Sequence, residues 1–136
     1  MNNKFLGAQA GSSGYLDFEA QPDLLKNQVK DQKVNQYQSF NEALIDLKND
    51  RIDALLIDRV YANYYLQSEG ILNDYNVFSA GFESESFAVG VRPADKRLLT
   101  VLNQAFIELY KEGKFQEISQ KWFGEDVATK EVKSRD

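Results

Sequence analysis

At 136 residues the chain can bury one real core and is short for two independent ones, so one domain, or one and a fraction, is expected. A 43% hydrophobic and 27% charged composition is that of a folding globular protein, and Lys+Arg 16 against Asp+Glu 21, net −5, offers no basic stripe to nucleic acid and no cationic face to anionic lipid. Cysteine and histidine are both absent, which removes disulfides, thiol chemistry, most zinc sites and the commonest general base.

In chain order, KFLGAQA is a short apolar run ending near glycine and predicts a first strand. GYLDFEAQPDLLKN then predicts a helix, broken or restarted at Pro22, and KVNQYQ has strand character from Val34 and Tyr37. Ser39 and Glu42 form an S-x-x-E capping box, and Phe40, Ala43, Leu44 and Leu47 follow at helical spacing, so SFNEALIDLKND is a helix with one apolar face. Ile52 to Ile57 is a nearly continuous apolar run of strand length, as in a parallel sheet covered on both faces, and Asp58 closes it. RVYANYYLQSEG predicts another helix with Gly70 as its C-terminal cap, and YNVFSA a further short strand. This alternation is α/β grammar.

From Gly81 the pattern changes. FESES is acidic and without helical period, FAVGVRP alternates as a strand until Pro93, and DKRLLTVLNQAFIELYKEG carries Leu98, Leu102, Ala105, Phe106 and Leu109 on one helical face. KFQEISQKWFG is a last helix ending at Gly124, and the tail EDVATKEVKSRD has charge but no apolar face, so it is expected to be frayed or loosely attached. No apolar run approaches the roughly 18 residues of a membrane span, and MNNKFLG lacks the hydrophobic region of a signal peptide.

Ligands of open α/β sheets collect at the carboxyl ends of the strands, where two features of this chain fall. In Gly11-Ser12-Ser13-Gly14, free amides at a helix start and two hydroxyls offer donors to a carboxylate or phosphate; taken alone, a loop with a serine N-cap is the simpler reading. Asp58, at the end of the most apolar strand, either caps the next helix, again the simpler reading, or accepts hydrogen bonds from an ammonium. Together they match the two charged groups of a free amino acid. Tyr61, Tyr64 and Tyr65 sit at helical spacing and read as packing, Trp122 and Phe123 as an anchor of the last helix. SESE reads as a solvated crossover and not as a metal site. No base, activated nucleophile or Gly-x-Ser-x-Gly elbow is present, so neither catalytic residues nor a metal or other cofactor is expected.

The order LGAQAGSSG, SFNEALIDLKNDRIDALLID and FAVGVRPADKRLLTVLNQAFIELYKEGKFQEISQKWFGED resembles the second half of a type II periplasmic-type solute-binding protein. The likeness is to the polar amino acid binding proteins of ABC importers, bacterial extracellular solute-binding protein family 3, and it covers nearly the whole chain. The resemblance implies a three-layer α/β/α lobe with a mostly parallel central sheet, plus a strand and two helices that belong to the partner lobe. Residues 1–82 would form the second ligand-binding lobe, 83–86 the interlobe crossover, 87–124 the C-terminal part of the first lobe, and 125–136 a tail. Ser12 and Ser13, with the turn at Gly11, would then receive the α-carboxylate, Asp58 the α-ammonium, while Gln9 and Ile57 border the ligand side chain.

The family's clamping arginine and aromatic wall have no counterpart here, since none of the arginines at 51, 59, 92, 97 and 135 occupies that motif. The resemblance therefore implies a C-terminal portion, an extracytoplasmic location in periplasm or as a surface lipoprotein, and millimolar binding or none for this chain alone. Its partners would be a free polar L-amino acid, glutamine being the first guess, and the membrane subunits of an ABC permease. Leu102, Phe106, Leu109 and Trp122 would be covered by a second copy of the chain, through a homodimer or swap, or by docking back on the second lobe. An enzyme on the same fold, such as a cyclohexadienyl dehydratase, and a ligand-sensing receptor domain are the alternatives.

Overall fold

The computed structural model describes residues 3–133; the last three residues of the expected tail lie outside them. Two compact units partition the chain, residues 1–62 with 77–83 and residues 63–76 with 84–136.

The first unit is built on a three-stranded parallel sheet in the order β2-β1-β3, with β1 Lys4–Gln9, β2 Val29–Tyr37 and β3 Ala54–Leu56. Helix α1 (Ser13–Ala20) connects β1 to β2, and α2 (Phe40–Lys48) carries the chain back across β1 to β3. Two right-handed crossovers that run in opposite directions put their helices on opposite faces. Leu6 and Ala8 accordingly point into a cluster with Phe18 of α1, Leu25, Val29 and Leu56, and Phe18 is fully buried. Gly7 faces the other side. A Cβ there would lie 2.6 Å from Ile52 Cδ1 and 3.0 Å from Tyr37 Cε2, so this position must be bare for the sheet to be covered closely.

Polar ties fasten the same unit. Tyr37 on β2 donates its hydroxyl to Asp46 of α2 at 2.9 Å, and Arg51 donates to the other oxygen at 2.8 Å. The Arg51 bond, followed by that of Tyr37, holds the Asp46 carboxyl below its ordinary value, while burial first, and then the Asp46 carboxylate, pushes the Tyr37 phenol up. Ahead of β3, Asp53 accepts from Lys4 Nζ at 2.8 Å and from the Phe5 amide at 2.7 Å, and its own amide donates to the Phe5 carbonyl.

Several elements differ from expectation. The first helix breaks ahead of Pro22 as expected, stopping at Ala20 where Gln21 leaves the helical region, but it does not resume as an α-helix; only a 3-10 turn at Lys26–Gln28 follows. Strand β2 starts earlier than expected and bulges: Lys4 pairs with Val29 but Leu6 with Val34, and Asp31 and Gln32 adopt positive φ. Ile52 is buried outside the ladder, which claims only Ala54–Leu56 of the apolar run. The residues of YNVFSA and FAVGVRP form no strand among the described residues; Ala80 and Phe82 instead pack on the first unit's core without joining its ladder. Alternation marks which side chains share a face but does not supply the neighbouring edge that a strand needs.

Helix α3 (Arg59–Ser68) leads into the second unit, where α4 (Lys96–Lys111) and α5 (Lys114–Phe123) form a hairpin about Gly113. Phe115 meets the rings of Phe106 and Tyr110 at centroid distances of 6.4 and 6.2 Å, and Tyr64 meets Trp122 at 6.2 Å. Leu102 and Phe106 are half-buried, whereas Leu98, Val101, Leu109, Ile118 and Trp122 are exposed, as are Phe87 and Val89. The described part of the tail is docked and not frayed. Ser119, 2% exposed, donates to the Glu125 carbonyl at 2.7 Å and accepts from the Val127 amide at 2.9 Å; Asp126 then binds Tyr110 and Lys133 of the short helix α6 (Lys130–Lys133). Polar anchors of this kind leave no apolar periodicity to read.

The Asp53 contacts give the protein an acid limit. The hydrogen bond from Lys4, then that from the Phe5 amide, holds this carboxyl below its ordinary 3.8. A carboxyl depressed in the folded state contributes stability that is complete above the unfolded value and is lost as pH falls through the folded one. Thermal unfolding should therefore shift to lower temperature between about pH 5 and pH 3, and Asp53→Asn should lower Tm at neutral pH and flatten that acid slope.

Candidate functional site

The end of β1 is shaped by a tight turn. The Gln9 carbonyl accepts from the Ser12 amide at 3.2 Å, and Gly11, third in that turn, has φ 71°. A positive φ at this position is the type II arrangement, which glycine adopts without strain. Ser12 then caps α1: its hydroxyl accepts from the Tyr15 amide at 3.2 Å and donates to the Gln9 carbonyl at 2.9 Å. Both hydrogen-bonding capacities of Ser12 are thus used inside the turn. Ser13 is exposed, and its amide and that of Gly14 belong to the first helical turn, which has no intrahelical acceptor for them.

After β3, Asp58 caps α3. Its Oδ1 accepts from the Tyr61 amide at 2.8 Å, and its carbonyl from the Ala62 amide at 2.9 Å. Asp58 is exposed and Ile57 half-buried.

Register brings these two ends together. Ala8 of β1 pairs with Leu56 of β3, so Gln9, Gly11, Ser12 and Ser13 and, one strand away, Ile57 and Asp58 occupy the carboxyl edge of two adjacent parallel strands. In a sheet of order 2-1-3 the connections from β1 and from β2 leave in opposite directions, which makes the carboxyl end of β1 a topological switch point, the place where open α/β sheets commonly take their ligands. The edge carries amide and hydroxyl donors at one strand and a carboxylate at the next, a pairing suited to a small molecule with an anionic and a cationic group. Each of these capping groups also does the simpler structural work that the sequence allowed.

Two participants escaped the sequence reading. Gln9 donates its side-chain Nε2 to the Gln38 carbonyl at 3.1 Å, and the Gln38 amide donates to Glu42 Oε2 at 3.1 Å. The available signal was the capping box: placed directly after β2, it puts the residue before Ser39 at the carboxyl edge as well. Among the described residues no group of three or more Asp or Glu side chains is arranged to hold a metal ion.

Residues 22–125 match the model of the bacterial extracellular solute-binding proteins, family 3. A polar amino acid ABC uptake transporter substrate-binding protein from Streptococcus thermophilus superposes with a TM-score of 0.84 at 63% identity, over 98% of this chain and 50% of that one. An ABC uptake transporter substrate-binding protein from Streptococcus pneumoniae, solved with bound histidine, gives 0.74 at 72% identity, over 96% of this chain and 53% of that one. The ABC transporter arginine-binding protein 1 of Escherichia coli (strain K12) is 32% identical over 102 residues, 73% of this chain and 42% of its own length. The chain thus spans about half, or less, of the relatives it matches.

The two serines should separate in a stability experiment. Ser12→Ala removes the cap and should cost about 0.5–2 kcal/mol in denaturant unfolding, while Ser12→Thr keeps most of it. Ser13→Ala should stay within about 0.5 kcal/mol of the parent.

Proposed function

The chain belongs to the bacterial extracellular solute-binding proteins, family 3, and from that premise we propose that it binds a free polar amino acid, non-catalytically, for an ABC importer in the extracytoplasmic space. The carrying observation is the adjacency of the Ser12–Ser13 helix start and Asp58 on neighbouring strands β1 and β3. In this reading the ligand carboxylate docks on the amides and hydroxyl of the turn at Ser13. Its ammonium meets Oδ2 of Asp58, since Oδ1 caps α3. Gln9 and Ile57 flank the ligand side chain. The kinship with transporter proteins named for arginine, and with one solved with histidine, supports an amino acid ligand and delivery to membrane permease subunits.

The same reading assigns residues 1–82 to one ligand-binding lobe, 83–86 to a crossover and 87–124 to the other lobe. The passage of the chain between compact units at Glu83–Ser84 supports that crossover, while the grouping of residues 63–76 with the second unit departs from so simple a division. It also gives the exposed Leu109 and Trp122 a cover, a second copy of this chain. Light scattering across a concentration series should then register a dimer; a monodisperse monomer at every concentration removes the self-association.

Thermal-shift measurements with a panel of L-amino acids, carried to high millimolar, test the binding. Ligand at about 100 times its Kd stabilises the native state by about 2.7 kcal/mol, a readable shift. One or a few polar amino acids should raise Tm. Asp58→Asn, which retains a capping oxygen, should abolish the shift while leaving the unliganded Tm nearly unchanged. No shift with any amino acid, for this chain and equally for a protein in which it is joined to a complete first lobe, overturns the reading.

A further inference from the structure

The Gln38 peptide is held from both sides. Its amide donates to Glu42 Oε2 at 3.1 Å, and its carbonyl accepts from Gln9 Nε2 at 3.1 Å. Glu42 is itself placed by the Ser39 hydroxyl, which accepts from the Glu42 amide at 3.3 Å. In the common capping box the glutamate returns to the N-cap amide; here it reaches one residue further back, to the last residue before the cap. A carbonyl oxygen can only accept. The Gln9 amide must therefore turn its nitrogen toward Gln38, which sends Oε1, an acceptor without donor capacity, the other way. Gln9 ends the central strand at the switch point and, in the reading above, flanks the ligand side chain, so its outward atom would bear on what binds there.

We propose that Glu42 is a positioning residue for ligand selection: through the Gln38 peptide it fixes the Gln9 amide with its oxygen presented, and the site thereby favours amino acids whose side chain donates a hydrogen bond over those whose side chain is a carboxylate. This rests on the amino acid reading above. Imidazole, amide and guanidinium groups can donate to Oε1. A carboxylate sets acceptor against acceptor and gains no hydrogen bond there, which is a ground for discrimination.

L-glutamine and L-glutamate are the discriminating pair, equal in size and different only in that donor. Calorimetric titration of the parent protein should give glutamine at least about tenfold tighter binding than glutamate. In Glu42→Ala the Gln38 peptide is released, the Gln9 amide can turn over, and the ratio should fall to within a few-fold. Glu42→Gln restores an acceptor for the Gln38 amide and should restore the ratio. A role confined to capping α2 would lower Tm and weaken both ligands alike, leaving the ratio untouched. Gln9→Leu should erase the ratio in the same way without affecting the cap. Binding of both ligands with equal affinity by the parent, or a parental ratio in Gln9→Leu or Glu42→Ala, overturns the selection proposal alone. Absence of binding by any amino acid, to this chain and to a protein in which it is joined to a complete first lobe alike, overturns the amino acid reading and this proposal with it.

Discussion

How closely Ile52 and Tyr37 can cover the central strand is set at Gly7. With no side chain at this point of β1, Ile52 and the Tyr37 ring close over the central strand. Tyr37 is then near enough to reach Asp46, so α2 is tied to β2 by a hydrogen bond as well as by apolar contact. The start of α2, with Ser39 and Glu42, lies at the end of β2 because only Gln38 and Ser39 separate the two elements, and Gln9 reaches that link. A larger residue at position 7 would push on a packed interior that has little room to yield, and the displacement would be felt at the caps.

How much of this was legible beforehand depends on whether the signal was local. The caps at Ser39, Asp58 and Gly124 and the helices they bound could be read directly, because a cap is written in two or three neighbouring residues. The parallel core could be read from the apolar run before Asp58 and from the alternation of elements. Gly11, Ser12, Ser13 and Asp58 were singled out the same way, from the glycine-serine turn and the strand-ending aspartate, whereas Gln9 and Ile57 came only from the family resemblance. What could not be read was pairing. Nothing within FAVGVRP or YNVFSA states whether an edge is available to them, and nothing in Gln38 announces that both its backbone groups will be engaged. The docking of the tail likewise depends on one serine, Ser119, whose burial among helix polar residues has no periodic mark.

The site illustrates how one group serves two ends. Ser12 and Asp58 both complete helices, and a helix start that is already satisfied by its cap is also a rigid one. Rigidity is what a weakly held small ligand needs most, since ordering loops on binding would consume the modest free energy that two charged groups supply. On the proposed function, the donors and acceptors at this edge would be fixed by the fold before any ligand arrives.

The bulge in β2 has a further consequence. β2 lies at one side of the sheet, and its Asp31 and Gln32, both in the left-handed region, break the even spacing of backbone amides and carbonyls midway along. A strand from another molecule approaching this border could match the ladder for only a few residues before meeting the break, flanked by Lys30 and Lys33. The irregularity thus works as a guard against edge-to-edge aggregation, built into the strand whose flank would otherwise be the most open template in the molecule.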